Sequence, residues 1–246
     1  MTRPDSSGHP APTGRVAAVV PAAGSGTRLG AGIPKAFVEL DGRTMLERAV
    51  AGLLASGTVD DVVAVVPVER VKEAERLLRP LSGDGHLVVV TTGGAERTDS
   101  VRNGLTALGG ASGYAVLLVH DAARCLTPAE PIRRVVDAVR AGERAVVPVL
   151  PVVDTVKEVD GDGYVTGTPD RAALRAVQTP QGFDPATLLA AYDAGGDVAT
   201  DDAGLVERLG VRVSTVAGDA LAFKITTAAD HARALTELAP SPEESR

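Results

Sequence analysis

The residues best equipped for chemistry come early in the chain. In "VVPAAGSGTRLGAGIPKAF" (Val19–Phe37) an apolar run opens onto Gly24, Gly26 and Gly30, with Arg28 among them and Lys35 behind Pro34. Small residues leave backbone N–H groups accessible, and two cations beyond them make a loop that can cradle a polyphosphate. The glycines spell G-x-G-x-x-x-G, which does not match the dinucleotide fingerprint, and no Lys-Ser or Lys-Thr completes a Walker A loop. Composition alone leaves an equal alternative, a Gly-rich strand–helix turn with solvated Arg28 and Lys35. Asp121 and Arg124 stand in "VLLVHDAAR", at the end of another apolar run, where open α/β sheets collect ligands. A solvated strand-end carboxylate is the competing reading there. His120 reads as a packed, hydrogen-bonded histidine rather than a base.

The chain that must position these groups has 246 residues, room for one large α/β domain or two small ones. Aromatics are only 2% of it, so Val, Leu and Ala must fill the core. A formal net charge of −7 argues against a general nucleic-acid binder, whose affinity rests on neutralising phosphates. A local basic patch for a small phosphate ligand is still compatible with it. The single cysteine, Cys125, excludes an intramolecular disulfide framework and suits a reducing compartment. No Cys/His spacing resembles a structural zinc site. No apolar run reaches membrane-spanning length, and "MTRPDSSGHPAPTGR" lacks an apolar targeting core. A soluble, cytoplasmic protein is expected, with a disordered leader (1–14) and a loose tail (240–246).

Between those ends, short apolar runs alternate with helical patterns. Strands are expected at Arg15–Pro21, Asp61–Pro67, His86–Thr91, Tyr114–His120 and Arg144–Val149. Helical spacing falls in "TMLERAVAGLLAS", "VERVKEAERLLR", "RTDSVRNGLTAL" and "PAEPIRRVVDAVRAG", with Thr44 and Glu47 forming a capping box. Such alternation implies right-handed crossovers and a mainly parallel, Rossmann-like sheet in one domain, 15–239. The rhythm breaks at "DTVKEVDGDGYVTGT" (Asp154–Thr168), where two alternating segments around "DGDG" predict a β-hairpin. This protruding arm, about 150–171, is the kind of element that pairs with another subunit. Helices near Asp184–Ala194 and Asp201–Leu209, a strand in "VRVSTVAG" and a helix from about Thr227 complete the pattern.

Read as a unit, "AAGSGTRLG…PK" resembles the signature of sugar-phosphate and polyol-phosphate nucleotidyltransferases, whose sheet is of the glycosyltransferase-A-like type. Further on, "TTGGAERTDSVRNGL", "VLLVHDAAR", "PVVDTVKEV", "QTPQGF", "ATDDAGLVERLG" and "FKITTAADHARA" follow in order. Order and spacing are similar to those of the 2-C-methyl-D-erythritol 4-phosphate cytidylyltransferases, from about Val16 to Leu238. Ribitol-5-phosphate cytidylyltransferases share most of these motifs, and a silent CTP-binding module is a third possibility.

The resemblance implies transfer of CMP from CTP to methylerythritol phosphate with loss of pyrophosphate, assisted by Mg²⁺. It implies that Arg28 and Lys35 stabilise the transition state, with Arg171 and Lys224 also at the reacting groups. Ala22, Ala23, Gly24, Ser25 and Gly26 would follow the triphosphate. Gly93, Gly94 and Ser100 would hold the cytosine and ribose. Asp121 takes the metal and substrate-hydroxyl position; Arg124, Thr155, Thr179 and Thr200 fall at substrate positions. Thr200 and Asp201 also read as an N-cap opening a helix. Ala95 and Cys125 depart from the family pattern, in which some members carry an acidic residue at the first position and the second is usually proline. The implied assembly is a homodimer joined through the hairpin arm.

Overall fold

A computed structural model describes residues 14–24, 29, 32–83, 85–109, 113–195 and 201–239. The expected leader, except Gly14, and the expected tail lie outside the described residues, as do Ser25, Gly26, Arg28 and Thr200.

The first apolar run is strand β1 (Arg15–Pro21), followed beyond the glycine loop by a two-stranded ribbon, β2 (Glu39–Leu40) and β3 (Arg43–Thr44). Helix α1 (Met45–Ala55) starts at Thr44, whose hydroxyl accepts from the Glu47 N–H while Glu47 returns the bond, the expected capping box. Then come β4 (Asp61–Val66), α2 (Val71–Leu78), β5 (Leu87–Thr92), α3 (Arg97–Ala107), β6 (Tyr114–Val119), α4 (Ala129–Arg140) and β7 (Ala145–Pro151). All five anticipated strands and four anticipated helices are present. β1 pairs in parallel with both β4 and β6, and β4 with β5, so the chain leaves β1 on one side and returns on the other. That reversal opens a crevice at the C-terminal edge of the sheet, above Pro21 and Val119.

Alternate residues of β1 enter different cores. Val16, Ala18 and Val20 pack with Leu46, Val50 and Leu53 of α1 and with Ile132, Val135 and Val136 of α4. Ala17 and Val19 pack with Val101 and Leu105 of α3 and, beyond them, with Leu188 and Tyr192 of α5 (Pro185–Asp193) and Leu205 of α6 (Asp202–Arg208). The strand therefore has no solvent face, which is why it reads as a continuous apolar run. Close approach of α3 depends on Gly104, where a Cβ would stand 2.5 Å from Val19 Cγ1.

The segment after the arm holds two strands that the sequence pattern did not announce. β10 (Arg175–Val177) and β11 (Gln181–Phe183) both run antiparallel along β7, and β11 also pairs with β6. They behave as one strand interrupted at the Thr179–Pro180 bond, which is cis. Strand β12 (Ser214–Ala217) adds to β7 in parallel, and α7 (Ala228–Leu238) closes the described chain.

The predicted hairpin is present as β8 (Glu158–Val159) and β9 (Val165–Gly167), a two-stranded sheet separate from the main one. Its turn is tied by Asp160, whose carboxylate accepts from the N–H groups of Asp162 and Tyr164, with Gly163 at φ +88°. Val153, Val159, Tyr164 and Val165 are all more than half exposed along this arm, an apolar surface the chain does not itself cover.

Candidate active site

Two strand ends, the start of a helix and two loops surround a cavity of about 380 Å³ at the C-terminal edge of the sheet. Pro21, Ala22, Ala23 and Gly24 line it from β1; Gly94 to Arg97 and Ser100 from the start of α3; Asp121, Ala122 and Ala123 from the end of β6; and Lys35 and Lys224 from loops.

Lys35 opens a 3₁₀ turn, Lys35–Phe37, in which Ala36 and Phe37 are buried. The Phe37 N–H donates to the Pro34 carbonyl and Arg70 covers the Phe37 ring, so the backbone that carries Lys35 is fixed. Pro34 restricts φ on the approach. This is how "IPKAF" converts a flexible side chain into a directed one.

Asp121 is the centre of charge. Lys224 Nζ stands 2.8 Å from Oδ2, an Arg97 nitrogen 3.5 Å from Oδ1, and Arg124 Nε 4.0 Å from Oδ2. Burial would raise its pKa, but Lys224, Arg97 and Arg124 together outweigh burial and hold it at about 2. The carboxylate is therefore ionised at any physiological pH. Lys224 is set by a double stitch: the Arg124 guanidinium donates to the Ala222 carbonyl at 2.7 Å, and the Ile225 N–H donates to the Ala123 carbonyl at 2.9 Å. Just beyond, Asp230 accepts from the N–H and hydroxyl of both Thr226 and Thr227, which accounts for "KITTAAD" as a rigid start to α7.

Several residues read as ligand contacts spend their polar groups inside the protein. The Thr179 hydroxyl accepts from the Asp121 N–H at 3.0 Å and bonds His120 Nδ1, also at 3.0 Å. Arg124 gives donors to the carbonyls of Ala222 and Val177. The Ser100 hydroxyl donates to the Glu96 carbonyl and accepts from the Gly94 N–H, holding the loop in which it lies. Gly93 has a packing reason: a Cβ there would stand 2.4 Å from Ala23 Cβ, so the two loops meet only because it is glycine.

His120 is buried, and burial pulls its pKa down to about 4. It is the packed histidine expected, and it carries a pH dependence. The unfolded chain takes a proton near pH 6.5, the folded one only near 4. Its contribution to stability is present above pH 6.5 and is lost as pH falls towards 4. Urea unfolding should show stability declining over that window, and His120→Gln should flatten the decline. Cys125 packs with Leu40, Met45 and Ile225, and burial pushes its thiol up to about 12, so it is a core residue rather than a nucleophile.

Arg97 stands in "TTGGAERTDSVRNGL", the motif that the resemblance gives to the nucleotide, but in the sequence it could equally be an ordinary surface charge on a helix's first turn. In the fold it lines the cavity and reaches both Asp121 and Asp202, the latter 105 residues away in sequence.

Residues 16–239 match the family described as 2-C-methyl-D-erythritol 4-phosphate cytidylyltransferase. The chain belongs to this family. It is 63% identical to the family enzyme of Nocardia farcinica over 218 residues, 88% of this chain and 91% of the relative. It is 58% identical to that of Rhodococcus opacus over 226 residues, 91% of this chain and 96% of the other. The crystal structure of the Thermus thermophilus enzyme superposes with a TM-score of 0.72 at 36% identity, covering 91% of this chain and 98% of that one. The 4-diphosphocytidyl-2C-methyl-D-erythritol synthase of Anaerococcus prevotii superposes at 0.79 with 29% identity, over 92% and 96% of the two chains. The α/β sheet is that of this cytidylyltransferase family. Family membership draws attention to two residues that the cavity does not gather: Thr155 and Arg171 are exposed on the arm, where Arg171 Nη1 donates to the Val153 carbonyl at 2.6 Å.

Proposed function

We propose that the protein transfers the cytidylyl group of CTP to 2-C-methyl-D-erythritol 4-phosphate, releasing pyrophosphate. The product is 4-diphosphocytidyl-2-C-methyl-D-erythritol, an intermediate of non-mevalonate isoprenoid precursor synthesis. The observation that carries this reading is the family match over residues 16–239, which spans every wall of the cavity.

The acceptor's phosphate oxygen attacks the α-phosphorus in line while pyrophosphate departs. The nucleophile is already an anion, so no strong base is required; what opposes the step is repulsion between anions and the charge gathering on the transferring group. Fixed cations answer both. Lys35, on its braced turn, supplies one such charge, and Arg28 is assigned the same task. Lys224 and Asp121 orient the acceptor. The Gly24 loop and the Gly94–Ser100 turn receive the nucleotide, where Ala95 provides a small cavity wall.

Among the described residues, no group of three or more His, Cys, Asp or Glu is placed to hold a metal. Asp121 would be the protein's carboxylate partner for Mg²⁺, which in nucleotide sites usually relies on phosphates and one or two carboxylates. When bound it neutralises charge on the phosphates.

We also place the enzyme in the cytoplasm as a homodimer. A two-stranded hairpin is marginal alone in water, and the exposed Val153, Val159, Tyr164 and Val165 give it a surface to bury. A neighbour's pocket is the natural destination for Thr155 and Arg171.

The direct test is pyrophosphate release from CTP and Mg²⁺ with methylerythritol phosphate and ribitol 5-phosphate supplied separately. Release with the first alone is expected. Release only with ribitol phosphate would replace the acceptor, and release with neither would leave a nucleotide-binding protein.

A further inference from the structure

Asp202, the first residue of α6, is fully buried, and both its oxygens are bonded. Oδ1 accepts from the Tyr192 hydroxyl at 2.5 Å and Oδ2 from Arg97 Nη2 at 2.7 Å. The same Nη2 lies 3.5 Å from Asp121 Oδ1, so Arg97 stands between two carboxylates and is closer to the buried one. A charge-assisted hydrogen bond at the shorter distance, away from water, outweighs the looser pair. We propose that Asp202 is a positioning residue that holds Arg97 back from Asp121, keeping Asp121 Oδ1 available to the ligand.

The need for such restraint follows from Asp121's other oxygen, which already has Lys224 at 2.8 Å. Were Arg97 to close onto Oδ1 as well, resident cations would occupy both oxygens. A polyol hydroxyl or a divalent cation would then have to displace one of them. Asp202 is itself held in place. Burial, reinforced by the Asp202 carboxylate, raises the pKa of Tyr192, so its hydroxyl stays a donor. Arg102 donates to the Tyr192 carbonyl and covers its ring. From the other side Gln181 accepts from the Ala203 N–H at 3.0 Å and donates to Asp201 at 2.7 Å, pinning the start of α6 to β11. α6 therefore cannot follow if Arg97 swings toward the cavity.

The inference rests on the cytidylyl-transfer reading of this cavity. Asp202→Asn retains volume and an acceptor but removes the charge. In a crystal structure of this variant the Arg97 guanidinium should move to about 3 Å from Asp121 Oδ1. kcat/KM for the polyol phosphate should fall about tenfold, with a smaller change for CTP. Adding Arg97→Met to Asp202→Asn should recover part of the loss, because a misplaced Arg97 blocks Asp121 more than a missing one. A merely structural role for Asp202 gives no such recovery. If Asp202→Asn does not fold, Tyr192→Phe, which loosens the same carboxylate, should produce a smaller loss in the same direction, also relieved by Arg97→Met. Arg97 unmoved in the variant crystal, or a double variant no better than the single one, overturns the proposal. Should the native protein release no pyrophosphate with any polyol phosphate, the functional reading fails, while the Arg97–Asp121 distance still decides what Asp202 does.

Discussion

Lys35→Ala is expected to lower turnover by ~10²–10³ while altering CTP affinity only a few-fold. In the proposed site the bound nucleotide would share its contacts among the Gly24 loop, the start of α3 and Mg²⁺, so losing one cation would be tolerable. Charge gathering on the α-phosphate as bonds change has fewer partners, and only charges fixed in advance meet it without reorganisation. The buried Ala36 and Phe37 beside Lys35 prevent the loop from sliding another group into its place. Single-turnover rates at saturating CTP, set beside a CTP titration without acceptor, separate the two effects. Near-native turnover with a raised CTP KM would make Lys35 a binding anchor instead.

Complementation between two inactive variants is the second large effect. Arg171 lies on the exposed arm and is not among the residues lining its own chain's cavity, whereas Lys35 is among them. In a homodimer with exchanged arms, Lys35→Ala and Arg171→Ala should each abolish nearly all activity. In a mixed dimer, one site collects both lesions and the other neither. Subunit exchange between the two variants should therefore restore activity to about a quarter of native, for random pairing of independent sites. Exchange confirmed by native mass spectrometry without recovered activity would return Arg171 to its own chain's site.

What could be read from the sequence divides along physical lines. β1, β4 and β6 are buried on both faces, and unbroken apolar runs such as Val62–Val66 announce that directly. Thr44 and Glu47 were legible because a capping box is local. β10 and β11 were not: each has three residues, they are separated by Gln178–Pro180, and the sheet rather than their own pattern makes them strands. The site shows the same divide. Lys35, Asp121 and Lys224 emerged through motifs and meet at one cavity. Ser100 and Thr179 emerged through the same motifs, yet their hydroxyls bond within the protein, a distinction that a motif cannot express. Arg97 stood in one of these motifs with nothing local to tell it from a surface charge, because its partners Asp121 and Asp202 are brought to it only by folding.

The antiparallel run through β10 also joins two parts of the molecule mechanically. The chain leaves the arm at Arg171, becomes β10, and within eight residues reaches Thr179, whose hydroxyl receives the Asp121 N–H. The root of the arm and the residue that holds the Asp121 N–H are one length of polypeptide, joined through a single 3₁₀ turn, Arg171–Ala173, and β10. In the proposed homodimer, separation of subunits would free the arm end of a segment that reaches Asp121, besides withdrawing any borrowed side chain. Amide hydrogen exchange at Asp121 should accelerate on dilution to monomer, along with that of β10, while β4 on the far side of β1 keeps its protection.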